Sequence, residues 1–256
     1  MLFGGRLQKI PCRNGRSGTT LLLEKKSTLT CPNPLATFEI HLVKLGGPSL
    51  NESEVTTRLK QLFDRVIKEG RVGAYQEAHV QWPQSCPASI PPDQLLVYVV
   101  QGPSDSVVSN HFRSHGSPEG AGFTGWNDSV TASEVYVSGC DGNGAGVANM
   151  IFHEAMHNKG HWPDAQLHGT FGGGGLASAS VSRTTDLNAT NVQRMAGVLA
   201  ARLPQWTGGC EYFNDPLRGL GTENLLLQNR PGAYAVVDGS AAVRGGSFQP
   251  GPCGLA

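Results

Sequence analysis

The 256-residue sequence is short of charge, has no net charge, and contains no long apolar run. Charged residues make up 16% of it, against roughly 25% in an average globular chain. A balance of 20 basic and 20 acidic residues gives no electrostatic case for nucleic acid or an anionic membrane as partner. No segment approaches the roughly 20 consecutive apolar residues that a membrane-crossing helix needs. The opening run MLFGGRLQKIPCRNG lacks the apolar centre of a signal peptide, so export would rest on a leader outside this sequence or on a dedicated secretion machine. No two of the six cysteines form a CxxC pair, which argues against a cysteine zinc site and a thioredoxin-like redox pair. There is also no internal repeat and no linker.

What the chain does have is 34 glycines and 16 prolines, a composition that predicts long ordered loops on a compact core. An even cysteine count with low charge and many loops fits a secreted or periplasmic protein with disulfide bonds, buried thiols in a cytosolic protein being the alternative. Six cysteines allow 15 connectivities, so no pairing follows from the sequence.

Periodicity orders the elements. A weak hairpin is expected within 20–31, and 37–45 alternates as a strand with Phe38, Ile40 and Leu42 on one face. Val55, Leu59, Leu62, Phe63, Val66 and Ile67 then form one helical stripe, with Asn51 and Glu54 as a capping pair and Gly70 as the stop. Strands follow at 77–82 and, by its continuous apolar run, at 95–101 as a buried central strand. Residues 102–133 read as loop, and 134–138 (EVYVS) as a half-exposed edge strand. The next helix, over 147–158, is apolar nearly all round and so should be buried. A last helix is expected over 189–203, and short strands at 225–228 and 234–237. One domain spanning 1–256 results, with an extended entry (1–36), a sheet and central helix (37–160), and a loop-rich second half (161–256).

The chemistry lies in HEAMH. His153 and His157 are four apart on the buried helix and project from one face, a spacing that lets two imidazoles share one zinc ion. Glu154 then stands beside the metal, placed to act as general base toward a zinc-bound water. Two imidazoles and a carboxylate inside a buried helix would be costly without a partner.

With Gly160 added, these residues give HExxHxxG, and the chain resembles the zincin metallopeptidases, most closely their metzincin branch. The resemblance implies an α+β fold, with a mixed twisted sheet, an active-site helix carrying HExxH and a smaller, loop-rich C-terminal half. It also implies Zn²⁺ as cofactor and peptide-bond hydrolysis. The third-ligand place of that family's motif holds Pro163 here, with Asp164 one residue later. Asp164 and His168 are the two leading candidates for the third ligand; His161 and a distant glutamate (Glu211 or Glu223) are weaker ones. The loser among them could orient a ligand histidine. By order along the chain, Leu176 occupies the place of the methionine in the family's turn beneath the zinc. A peptide substrate is expected to lie antiparallel to the edge strand, which puts Val135, Tyr136 and Val137 forward as substrate-binding residues. Trp126 is a candidate for the cleft wall, and His111 and His115 for oxyanion stabilisation, against plainer roles as loop residues; CDGNG at 140–144 is more simply a turn than a calcium loop.

Three functions are therefore carried forward. One is a single-domain zinc endopeptidase. Another is a metallopeptidase effector or toxin delivered by a secretion system, and the non-enzymatic alternative is a disulfide-stabilised binding module with a structural zinc closed by four ligands.

Overall fold

A computed structural model describes residues 36–112 and 120–215, and the backbone of 8–11, 17–20 and 235–236. The chain divides into two units, Met1–Leu35 and Ala36–Ala256. In the first, β1 (Gln8–Pro11) and β2 (Ser17–Thr20) form an antiparallel hairpin. The hairpin expected within 20–31 and the strand expected at 225–228 lie outside the described residues.

The second unit is a mixed α+β layer structure. Its sheet contains β3 (Ala36–Lys44), β4 (Tyr75–Gln81), β5 (Leu95–Val100), β6 (Gly122–Trp126) and β7 (Thr131–Tyr136). They lie in the order β4-β3-β5-β7-β6, and a two-residue strand, β8 (Ala235–Val236), joins β6. The pairings among β4, β3, β5 and β7 are parallel; β6 runs antiparallel to β7 and to β8. The long helices are α1 (Glu52–Glu69) and α3 (Ala145–Gly160), with the shorter α2 (Val108–Phe112), α4 (Asp164–Leu167), α5 (Ala189–Val198) and α6 (Gly209–Asn214). Among the described residues, no helix is long and apolar enough to cross a membrane.

Local rules explain much of this. Asn51 caps α1 by accepting from the Glu54 N–H at 3.2 Å, and all six stripe residues are buried. Side chains of the parallel strands alternate between two cores. Phe38, Ile40, Leu42, Leu95, Val97 and Val99 pack with α1, α3 and α5, whereas Val43, Leu96, Tyr98 and Val100 pack on the opposite face with Phe112 and Tyr212. β5 is buried on both faces, as its unbroken apolar run requires. On the second face a disulfide joins Cys86 to Cys210, 124 residues apart.

Two expectations are overturned around β7. Residues 102–133, expected as loop, contain α2, β6 and the start of β7. Residues 134–138 do not form an edge strand: β7 ends at Tyr136 and lies between β5 and β6, fully buried. The alternation in EVYVS reads as half-exposed because of Glu134, yet that carboxylate is 0% exposed. It accepts hydrogen bonds from the Ser106 and Tyr136 hydroxyls and the N–H groups of Val107, Val108 and Ser109, which anchors the start of α2 on the sheet. Val135, Tyr136 and Val137 are buried as well, so they offer no open edge to a peptide. The antiparallel neighbour of β7 is β6, whose sequence GFTGW gives no strand signal because two of its five residues are glycine.

Candidate metal centre

Helix α3 runs beneath the sheet with nearly every residue buried. It ends at Gly160, and His161 takes a left-handed conformation (φ 47°) that turns the chain back. The Trp162 ring folds onto Gly160 so closely that a Cβ there would lie 2.3 Å from it. Pro163 then leads into α4, which brings His168 under the helix it has just left.

The result is a group of three histidines, His153, His157 and His168, whose ligand nitrogens all lie within 4.8 Å of one another. His153 Nε2 is 3.2 Å from both His157 Nε2 and His168 Nε2. The two helix histidines are held from behind. His153 Nδ1 donates to the Leu176 carbonyl (2.7 Å) and His157 Nδ1 to the Trp162 carbonyl (2.6 Å). A carbonyl only accepts, so each ring proton is on Nδ1 and each Nε2 presents a lone pair. Burial lowers the His153 pKa to about 4 and the His168 pKa to about 3, and holds His157 well below its usual value, the other two histidines adding to the effect there. Three neutral imidazoles thus converge. A tetrahedral ion with bonds of about 2.0–2.1 Å would separate its nitrogen ligands by roughly 3.3 Å, close to the spacing observed.

The loop under His153 is built for that contact. Gly173, Gly174 and Gly175 all have positive φ, and Asn191 ties the loop together by donating to the Gly172 and Gly174 carbonyls and accepting from Leu176 N–H. Leu176 itself is fully buried.

Asp164, the first residue of α4, is close to the group but placed unevenly. Its Oδ1 is 3.6 Å from His157 Nε2 and 3.8 Å from His168 Nε2, and both carboxylate oxygens are buried. His161 does not join the three histidines: its ring stacks on Trp126 at 4.7 Å, nearly parallel. Glu154, 2% exposed, is held against β6, where Thr124 Oγ1 donates to its Oε2 at 2.7 Å. Gly122 makes room for it, since a Cβ there would lie 2.5 Å from Glu154 Oε1.

No protein-family model, curated protein or solved structure matches the chain. Function is therefore argued from the site.

The remaining sequence candidates fall elsewhere. His111 lies on α2, in the second core, stacked on Trp206 at 4.1 Å. Glu211 sits on α6, and His115 and Glu223 lie outside the described residues. In the 140–144 turn, Asp141 Oδ2 accepts from the Arg183 N–H at 3.0 Å. The sequence reading missed Thr124, which hydrogen-bonds Glu154, and the buried Ser133, Asn158 and Gln205 linked to it in turn. The only signal for Thr124 was its place between two glycines in a segment without apolar alternation.

Proposed function

We propose that the chain is a zinc-dependent peptide hydrolase of the zincin kind, with His153, His157 and His168 as ligands and Glu154 as general base. One observation carries the metal. The Nε2 atoms of His153 and His157 meet at 3.2 Å while both ring protons are committed to carbonyls on the far side. Two lone pairs in a buried site repel each other, and a cation between them turns that repulsion into coordination. Three imidazoles with a position left open is the ligand pattern of a catalytic site. Support for hydrolysis comes from Glu154, the residue after the first ligand, held by α3 against the antiparallel strand β6.

Bound zinc would acidify a water and polarise a scissile carbonyl. The protein's own part is then positional. The Leu176 and Trp162 carbonyls orient the ligand rings, and the Glu154 carboxylate takes a proton from the water and delivers it to the leaving amine. The Cys86–Cys210 bond supports an oxidising compartment, secreted or periplasmic, and with it the effector reading.

The test is Glu154→Gln in zinc-loaded protein, assayed on an unstructured peptide library. Hydrolysis should fall by about 10²–10⁴-fold with zinc still bound at one per chain; undiminished hydrolysis would sink the mechanism.

The position of Asp164 favours a second reading, a structural zinc closed by a fourth ligand in a binding module. Cobalt substitution separates the two. A spectrum that responds to added azide marks an open position, and an inert four-coordinate spectrum marks a closed one.

A further inference from the structure

The buried polar groups around Glu154 form a hydrogen-bonded chain with a single direction. It starts from the side-chain amide of Gln205, whose Nε2 donates to the Leu203 carbonyl at 3.0 Å, which fixes which end of the amide is which. Gln205 Nε2 also donates to Asn158 Oδ1, and Asn158 Nδ2 returns a hydrogen bond to Gln205 Oε1, both at 3.1 Å. The other Asn158 Nδ2 proton goes to Ser133 Oγ at 3.0 Å. Ser133, thus an acceptor, has its own proton to give to Thr124 Oγ1, its cross-strand partner, at 2.7 Å. Thr124 in turn gives its single hydroxyl proton to Glu154 Oε2 at 2.7 Å. Reversing any link would set two protons or two lone pairs against each other in a buried place.

These residues are fixed on three elements. Thr124 is on β6, Ser133 on β7, and Asn158 stands one turn beyond Glu154 on the same face of α3. Thr124, Ser133 and Asn158 are each 0% exposed.

We propose that Thr124, oriented by Ser133, Asn158 and Gln205, is the positioning residue of the general base: its hydroxyl holds Glu154 Oε2 and so fixes the carboxylate that would take the proton from water. The proposal rests on the peptidase reading above for the word base, but the hold itself is a property of the metal-free protein. A chain of donors that ends on a carboxylate oxygen suits an ionised acceptor, and it fixes the carboxylate before substrate arrives. A core polar cluster with no part in the reaction would stabilise the fold without affecting turnover.

The experiment uses the full chain as wild type, Thr124→Val, Thr124→Ser, Ser133→Ala and Glu154→Gln, with Thr124→Val also combined with Glu154→Gln. On the peptide substrate, Thr124→Val should lower kcat by about tenfold or more with KM and zinc content unchanged, and Thr124→Ser should restore it. Ser133→Ala, which removes only the orienting donor, should give a smaller loss in kcat and serves if Thr124→Val does not fold. In metal-free protein, the fall in melting temperature caused by Thr124→Val should be larger in the wild type than in the Glu154→Gln background. An unchanged kcat in both Thr124→Val and Ser133→Ala, or equal melting losses in the two backgrounds, would overturn the proposal. A zinc-loaded wild type that cleaves nothing, with the melting difference intact, would instead overturn the peptidase reading and leave the hold of Thr124 on Glu154 in place.

Discussion

His153 Nε2 and His157 Nε2 face each other at 3.2 Å with no proton between them, since each ring gives its proton to a carbonyl behind it. The metal-free protein therefore stores an unfavourable contact that a divalent ion relieves. Zinc at 100 times its dissociation constant should stabilise the fold by about 2.7 kcal/mol, a rise in melting temperature of roughly 5–10 °C for a chain of this size. Calorimetry of chelator-treated and zinc-loaded protein checks this, and coincident melting curves would refute it.

His168 and Asp164, the two candidates for a third ligand, are separable by substitution. His168 Nε2 is 3.2 Å from His153 Nε2, whereas Asp164 Oδ1 lies farther out, beside His157 and His168. His168→Ala should weaken zinc binding by well over 100-fold, while Asp164→Asn should cost roughly 10-fold or less, as expected of an outer partner. Competition with a zinc-sensitive chelating dye measures both. A larger loss for Asp164→Asn would exchange the two roles.

What could be read from the sequence follows from how local each signal is. The stripe of α1, its Asn51 cap and the apolar run of β5 are fixed by neighbours within a few residues, and all appear as expected. The same holds for the two α3 histidines, whose four-residue spacing puts them on one face. The β6–β7 pair was not legible, because glycine at 122 and 125 hides β6 and because Glu134 gives β7 a false solvent face. Its five donors come from a segment about 25 residues earlier and from Tyr136, contacts that no periodicity encodes. The last helix also stops at Val198 rather than at 203; the segment beyond it supplies the Ala201 carbonyl to the buried Lys159 ammonium. Which side chains come beside the two helix histidines depended on His161, whose left-handed turn sends its own ring to Trp126 and returns the chain toward His157.

Acid should destabilise the metal-free protein well above the range where carboxylates titrate. Burial lowers the His153 pKa from 6.5 to about 4, so below pH 6.5 the unfolded chain takes up a proton that the folded chain refuses. The stability tied to a neutral His153 is thus fully present above pH 6.5 and is lost as the pH falls through about 4. The loss from this group alone is on the order of 3 kcal/mol. His168, lowered to about 3 by burial and by His153, acts in the same direction. Urea unfolding at pH 7, 6 and 5 should show falling stability, and bound zinc should shift that fall to lower pH. A flat profile without metal would contradict the buried neutral histidines.

The disulfide should support the fold without touching the metal. Cys86–Cys210 closes a loop of 124 residues and sits with the core on the face of the sheet opposite α3. Replacing both cysteines by serine should lower stability by about 2–5 kcal/mol, while zinc affinity in the folded protein stays within a factor of about 3. Denaturant titration and a zinc competition assay give the two numbers. A large loss of zinc affinity would mean that the two faces of the sheet are coupled.

Gly160 links the end of the helix to the histidine group. A Cβ at that position would lie 2.3 Å from the Trp162 ring, and the Trp162 carbonyl is what holds His157 Nδ1. Gly160→Ala must therefore push Trp162 away and release the His157 ring. The expected result is a stability loss of about 1–3 kcal/mol together with a weakening of zinc binding by roughly 10–100-fold. Gly197, exposed near the end of α5 with nothing within 4 Å of its virtual Cβ, is the control. Gly197→Ala should raise stability by about 0.4–1 kcal/mol and leave zinc affinity alone. If Gly160→Ala lost stability but kept full affinity, the Trp162 carbonyl would not be what orients His157.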